Sequence, residues 1–496
     1  MTTSCRSPLR EARALGSSGR RAEALLCYRR VLVEEPDNAE SVHFLGVLIS
    51  EVECDHRRAF LWVERSLRLV TQSPHFLTNA AIILQRLQRL DDALDYLTEA
   101  LRVDGKFILA ILNAGHVHRK KKSYMLAVAC YEKVVSLLPS DLAAYEHLSL
   151  CYSYPEDLNL RCRALQRARE IDPDNVDVGF SLGIYYLMSG RFAEGWDLFE
   201  NRWRTSHVRE NPRYSKPLSL QRPTFDSQNP DGPVFVWSEQ GVGDEIMFAS
   251  LIPEFVDRFK VEVILQVDPR LEGILRRSLP GITVVPRGIV PAEVSYATHL
   301  PSGDLPRLLR RSVESFVLGQ DRFLVADPAR VQALRSALSG LVRPIVGISW
   351  YSSNGETRCV PLRDLGRVLR RFDLSVVNLQ YGDHVREISS IDKDLGRSLF
   401  DFADIDCQND LEGLLALIEC CDLVVSIGNA TVHFSGASGV STLALLPHLP
   451  GWRWLSHGDQ SLWYRSVKLL RQVQAGSWDS PLQSVEAELE RCMRRI

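Results

Sequence analysis

A 34-residue period in the N-terminal part constrains this chain more than any other feature of its sequence. The segment from Gly19 to Asn38 carries a small residue at Ala24, an aromatic at Tyr28, an inner apolar residue at Val31 and a terminating proline at Pro36. The same slots recur at Ala93, Leu97 and Ala100, and again at Ala127, Tyr131, Val134 and Pro139, with Pro173 a further 34 residues on. Small side chains let two antiparallel helices approach closely, and the larger ones fill the groove of the next repeat. Proline has no amide hydrogen and clashes with the preceding carbonyl, so it stops the second helix. The pattern predicts an array of five to six helix pairs over residues 5–203, ending in Gly195-Trp-Asp-Leu-Phe-Glu-Asn-Arg-Trp203.

These slots are those of the tetratricopeptide repeat. The repeats near 39–72 and 142–175 follow them less well, since Arg161 takes a small-residue slot and Pro155 interrupts a helix. A solenoid of this type offers a concave surface and little catalytic chemistry, so it predicts a protein partner. His116 and His118 are two residues apart, on opposite sides of a helix, and make poor joint metal ligands.

At 496 residues the chain is too long for one core. A formal net charge of −3 supplies no global field toward nucleic acid or an anionic membrane. The opening residues lack the apolar run of a signal peptide, and no stretch reaches 18 uninterrupted apolar residues. Eleven scattered cysteines form no C-x-x-C pair, and Cys420 and Cys421 are adjacent. A cytoplasmic protein with reduced thiols, no nucleic-acid partner, no stable membrane insertion and no metal site is the expectation.

Residues 204–232 are rich in proline and glycine, with Asn211-Pro-Arg-Tyr-Ser-Lys-Pro217 and Asn229-Pro-Asp-Gly-Pro233, and read as a linker. Strand and helix patterns then alternate: strands at 233–237, 261–267 and 282–285, helices at 244–259, 271–279 and 327–339. The alternation restarts at Ile345-Val-Gly-Ile-Ser-Trp350, followed by strands at 375–379 and 422–426 and helices at 362–372 and 410–421. Such alternation predicts parallel sheets covered by helices, and two restarts predict two Rossmann-like halves, 233–342 and 343–496, with a cleft between them.

Three motifs stand where strands empty into helices. In Trp237-Ser-Glu-Gln-Gly-Val-Gly-Asp-Glu245, Gly241 and Gly243 permit positive φ or close backbone approach, and Asp244 reaches toward the cleft or stabilises the helix start as a first-turn acid. In Gly347-Ile-Ser-Trp-Tyr-Ser-Ser-Asn-Gly-Glu-Thr-Arg358, hydroxyls, backbone amides and one guanidinium suit a phosphate, and equally a solvated loop. In Ser426-Ile-Gly-Asn-Ala-Thr-Val-His433, Thr431 and His433 fall in the first helical turns after Gly428 and Asn429. Parallel α/β sheets bind ligands at that end of a strand.

Together with Leu379-Gln-Tyr-Gly382, Leu446-Pro-His-Leu-Pro-Gly-Trp-Arg-Trp454 and Trp463-Tyr464, these motifs make the chain resemble the repeat-fused bacterial branch of heptosyltransferase-like, GT-B type glycosyltransferases. Members of that branch are implicated in O-glycosylating proteins, flagellin among them. The text departs from the heptosyltransferase pattern at Gly428-Asn429, where Asp-Thr is usual, and at Tyr351, where a basic residue often follows the tryptophan. The resemblance implies an inverting, metal-independent transfer from a nucleotide-sugar to Ser or Thr of a protein held by the repeats. Asp244 is then the base, with Glu239 as runner-up, and Gly241, Gly243, Ser353, Arg358, Gln380, Asn429, Thr431 and His433 hold the donor. Asp404-Ile-Asp406 has metal-binding spacing but lies away from these motifs and reads as a surface loop. The alternatives are a nucleotide-binding repeat scaffold without turnover and a transferase acting on a lipid or small molecule.

Overall fold

The repeat slots turn inward in the computed structural model: Ala24, Tyr28 and Val31, then Ala93, Leu97 and Ala100, then Ala127, Tyr131 and Val134 are all buried. The structure describes residues 8–152, 157–206, 208, 220, 222–228, 232–288, 295–319, 322–353, 355–395 and 399–494. Pro155, Asn354 and much of the 204–232 segment lie outside these described residues.

The helices pair in order: Pro8–Ser17 with Arg21–Glu34, Ala39–Leu48 with His56–Leu69, Pro74–Arg86 with Leu90–Val103, and Ile108–Lys120 with Tyr124–Leu137; Leu142–Cys151 and Leu158–Ile171 follow, joined through Arg161 and the Ser149 carbonyl. A sixth pair, Val176–Met188 with Phe192–Phe199, follows. Pro36, Pro139 and Pro173 each stand just beyond the second helix of a pair. A Cβ on Gly115 would come within 2.7 Å of the Tyr131 ring, so the missing side chain is what lets these helices close. Arg161 fits a small-residue slot because its Nε donates to the Ser149 carbonyl at 2.5 Å, a carbonyl in the last turn of the neighbouring helix.

The chain packs as two compact units whose division differs from the sequence expectation. One unit comprises residues up to 153 with 159–174, and the other comprises 154–158 with 175–496. The division falls near 174, so the sixth helix pair shares a compact unit with the α/β region. Leu187, Phe192, Trp196 and Phe199 share a core with Val234, Val236 and Ile246, and Trp196 Nε1 donates to the Arg310 carbonyl at 2.8 Å.

That second unit holds two parallel sheets. The first has strands β1 (Val234–Trp237), β2 (Val263–Val267), β3 (Thr283–Pro286) and β4 (Thr298–Pro301) in the order β3-β2-β1-β4. Within the expected linker, Thr224 bridges to His299 and the Phe225 amide donates to the His299 carbonyl at 2.8 Å, so this stretch extends the β4 edge. The second sheet has β5 (Ile345–Ser349), β6 (Ser375–Asn378), β7 (Leu399–Phe400), β8 (Leu423–Ile427), β9 (Thr442–Leu446) and β10 (Val467–Arg471), in the order β10-β9-β8-β5-β6-β7. Counted from its own first strand this is 3-2-1-4-5-6 reversed end for end, the doubly wound order. Its direction of winding switches between β5 and β8, which are hydrogen-bonded neighbours. Ligands of such sheets bind beyond the carboxyl ends of the strands at that switch. β1, β5 and β8 are buried along their full length, as strands covered on both faces must be.

Candidate functional site

Loops leaving the carboxyl ends of β1, β5, β6, β8 and β9 enclose a cavity of about 270 Å³. Gly241, Val242, Gly243 and Asp244 come from the first sheet, and Ser352, Arg358, Tyr381, Gly428, Asn429, Ala430 and His433 from the second. The segment after β9 adds Leu446, Pro447, Pro450, Gly451, Arg453 and Trp454. Two eight-residue helices, Val242–Ala249 and Ala430–Ala437, start at this cavity, so the positive ends of both dipoles meet there.

Asp244 lies in the first turn of its helix and caps nothing; Gly241 is the N-cap, with no side-chain bond. Its Oδ1 accepts from Arg453 Nε. Arg453 Nη2 also donates to Gln240 Oε1 at 3.0 Å, and the guanidinium sits 4.5 Å from the Trp452 ring centroid. Arg358, across the cavity, pairs with no carboxylate among the described residues. Its side chain is solvent-exposed at one face, and partial desolvation by the cavity wall, reinforced by the like charge of Arg453, pushes its proton affinity below the usual arginine value. The cavity thus carries two guanidiniums against one carboxylate.

His433 is buried, and its Nδ1 lies 3.0 Å from Tyr464 Oη, leaving Nε2 as the ring nitrogen available to the cavity. Burial lowers its pKa to about 4, with Asp244 opposing and Arg453 adding to the shift, so the ring is neutral at physiological pH. Burial and the Asp244 charge raise Tyr464 well above the ordinary phenol value, which keeps it a neutral partner.

Among the expected site residues, Gly241, Gly243, Asp244, Arg358, Asn429 and His433 line the cavity, whereas Glu239, Ser353, Gln380 and Thr431 do not. Gly243 is required by close approach, because a Cβ there would lie 2.7 Å from His433 Cδ2. Gly241 has φ −104°, and it is Gln240 that adopts φ +63° in this turn. Glu239, the runner-up base, lies outside the cavity: it is buried, bound by Arg202 Nε at 2.8 Å and Nη2 at 2.7 Å, and accepts the Gly303 amide at 2.8 Å. Arg202 in turn reaches Asp304 at 2.7 Å, so this carboxylate neutralises a buried arginine.

Gln380 is also spent internally. Its Oε1 accepts from Ser349 Oγ, Trp350 N and Tyr351 N at 2.8–2.9 Å, which fixes the loop after β5. Asn429 spans β8 and β5: Oδ1 accepts from Ser426 Oγ and the Thr431 amide, while Nδ2 donates to Ser349 Oγ at 2.8 Å. Thr431 is buried and enters through its amide alone, and Ser353 is exposed while Ser352 lines the cavity in its place. Sequence reasoning gave no role to Arg453 or Tyr464, although Trp-Arg-Trp and Trp-Tyr were visible. An arginine flanked by two tryptophans in a loop is the signal that would have marked the first. Asp404 and Asp406 are exposed, and Asp406 accepts from the Gln408 and Asn409 amides of its own turn. Among the described residues no group of three or more His, Cys, Asp or Glu is placed to hold a metal, and no helix is long and apolar enough to cross a membrane.

The tetratricopeptide repeat model matches residues 109–141. Protein FlbA of Caulobacter vibrioides is 26% identical over 492 residues, covering 94% of this chain and 81% of that one. Human protein O-mannosyl-transferase TMTC3 is 26% identical over 141 residues, which are 28% of this chain and only 15% of that protein. Among solved structures, MamA from Desulfovibrio magneticus RS-1 shares 22% identity over 35% of this chain and 97% of its own, with a TM-score of 0.31. A thermophilic TPR protein of Thermus thermophilus shares 20% identity over 34% of this chain and 93% of its own, also at 0.31. Superpositions this loose assign nothing beyond the local helical likeness.

Proposed function

We propose that the chain is a GT-B type protein O-glycosyltransferase, in which two Rossmann-like domains transfer a sugar from a nucleotide-sugar to Ser or Thr of a protein recruited by the repeats. The observation that carries this reading is the excess guanidinium: Arg358 and Arg453 face one carboxylate where two helix N-termini converge. Such a site is suited to a diphosphate and to the negative charge that develops on it as the glycosidic bond breaks. Asp244 is the acid-base group within reach, and it takes the acceptor hydroxyl proton as the anomeric carbon is attacked from the face opposite the leaving diphosphate, which inverts configuration. His433 Nε2 and the Asn429–Ala430 turn contact the donor, and Gln380 and Thr431 hold that surface in shape. Likeness to Protein FlbA along most of both chains supports reading repeats and α/β region as one functional arrangement. The O-mannosyl-transferase likeness agrees in reaction class but touches too little of that protein to say more. A cytoplasmic location and a flagellin-like acceptor belong to the same proposal.

A second reading, a nucleotide-binding scaffold without turnover, draws support from the Asp244–Arg453 pair, which occupies the base. A panel of nucleotide-sugars read by thermal shift tests both. Transfer activity requires that one intact donor raise the melting temperature and be consumed when an acceptor is supplied. A donor that stabilises the protein but survives incubation with every acceptor supports the scaffold.

A further inference from the structure

Arg453 makes two polar contacts at once, to Asp244 through Nε and to Gln240 through Nη2, while its face rests on Trp452. The Gln240 contact is built on a rigid floor. Gln240 Nε2 donates to Glu239 Oε2 at 3.4 Å, and Glu239 is locked by Arg202 and Gly303. The Asp244 contact has no comparable anchor, and it joins two groups that both line the cavity. Arg358 lines the same cavity without a carboxylate of its own.

We infer that Arg453 is a shared cation: it masks Asp244 while the cavity is empty, and a diphosphate entering beside Arg358 competes for the same guanidinium, so the carboxylate is released only when the donor is bound. This inference rests on the proposed transferase reading and deepens it, because it makes donor binding a precondition for acceptor deprotonation. A carboxylate oxygen that accepts from a guanidinium is not free to accept a hydroxyl proton. Drawing the guanidinium toward two phosphate charges frees that oxygen. Acceptor hydroxyls are thereby left unactivated in the absence of donor, and donor binds before acceptor is used.

The test is a double-mutant cycle on the full-length protein, with inorganic pyrophosphate as the probe and calorimetry as the readout. Asp244→Asn removes the competitor, and pyrophosphate affinity is expected to rise roughly tenfold, the scale of one charge-assisted hydrogen bond. In an Arg453→Met background the same substitution is expected to raise affinity less than about twofold, since no guanidinium remains to be shared. Arg453→Gln serves as the second background, and thermal melting identifies whichever variant keeps its fold. An equal gain in both backgrounds means that Asp244 merely repels the anion through space, and it overturns the shared-cation inference while leaving the anion site intact. Failure of the parent protein to bind pyrophosphate overturns both the inference and the donor-site reading. Coupling without stabilisation by any nucleotide-sugar leaves the sharing of Arg453 between Asp244 and a bound anion standing, and removes the transferase reading together with the order of binding drawn from it.

Discussion

Glu239, Asp244 and Glu245 crowd the carboxyl end of β1, and each is met by an arginine: Arg202, Arg453 and Arg287 respectively. At the facing ends of β5, β6 and β8 one guanidinium, Arg358, lines the cavity, and beneath it the neutral Ser349, Gln380, Ser426 and Asn429 are bonded into one network. The first edge is held by charge compensation and the second by satisfied amides and hydroxyls. Removing one member of a buried ion pair strands the other, whereas a neutral network loses single bonds. Within the first edge, Glu239 is spent inside its buried pairs whereas Asp244 lines the cavity, so the same substitution, carboxylate to amide, does different things at neighbouring positions of one loop.

The largest effect is expected at Asp244. If Asp244 is the base of the proposed transfer, Asp244→Asn is expected to lower transfer by about a hundredfold or more, the usual contribution of a general base, with the fold retained. A loss smaller than about tenfold moves the base elsewhere. Glu239→Gln inverts this pattern: it costs stability, about 3 kcal/mol by chemical denaturation, and spares turnover per folded molecule. If that variant keeps its stability and loses activity, the distinction between the two acids collapses.

On the opposite edge, Arg358→Met is expected to weaken pyrophosphate binding about tenfold, while Gln380→Met weakens it less, because Gln380 shapes the loop without touching the cavity. Equal losses would mean the network, not the guanidinium, holds the anion. The smallest effects are in pH dependence, and the two edges differ in sign. Burial raises Glu245 to about 7 against the pull of Arg287, so its proton is held more tightly in the folded protein than in the unfolded chain. Its stabilising contribution is full below the ordinary value of 4.5 and is lost as pH rises toward 7. His433, lowered to about 4, contributes above 6.5 and loses that contribution as pH falls toward 4. Glu245→Gln is accordingly expected to flatten the fall in stability with rising pH, and His433→Gln to flatten the rise, in denaturation series over that range.

The repeats were legible because their spacing is a packing constraint, which left Ala24, Tyr28, Ala127 and Tyr131 no other place to go. β1, β2, β5, β6 and β8 were legible as β-branched runs. β9 was not: Thr442-Leu-Ala-Leu-Leu446 is written in helix-forming residues, and only its place between β8 and β10 makes it a strand. The expected helix over 244–259 is two helices, Val242–Ala249 and Ile252–Phe259, with Pro253 opening the second. Of the site, residues beside a strand end could be read, but their roles could not. Whether Glu239 meets a hydroxyl or Arg202 depends on what a helix more than thirty residues away brings to it.

The sixth helix pair is written in the same grammar as the other five, yet its aromatic residues pack on Phe316 and Trp452, and Trp196 is tied to the Arg310 carbonyl. A splice for exchanging the repeats accordingly belongs after residue 174, where the two units part. Joined at 203 instead, a chimera would carry a foreign helix where Trp196, Phe199 and Arg202 are needed, and the graft would cripple the α/β unit it was meant to serve.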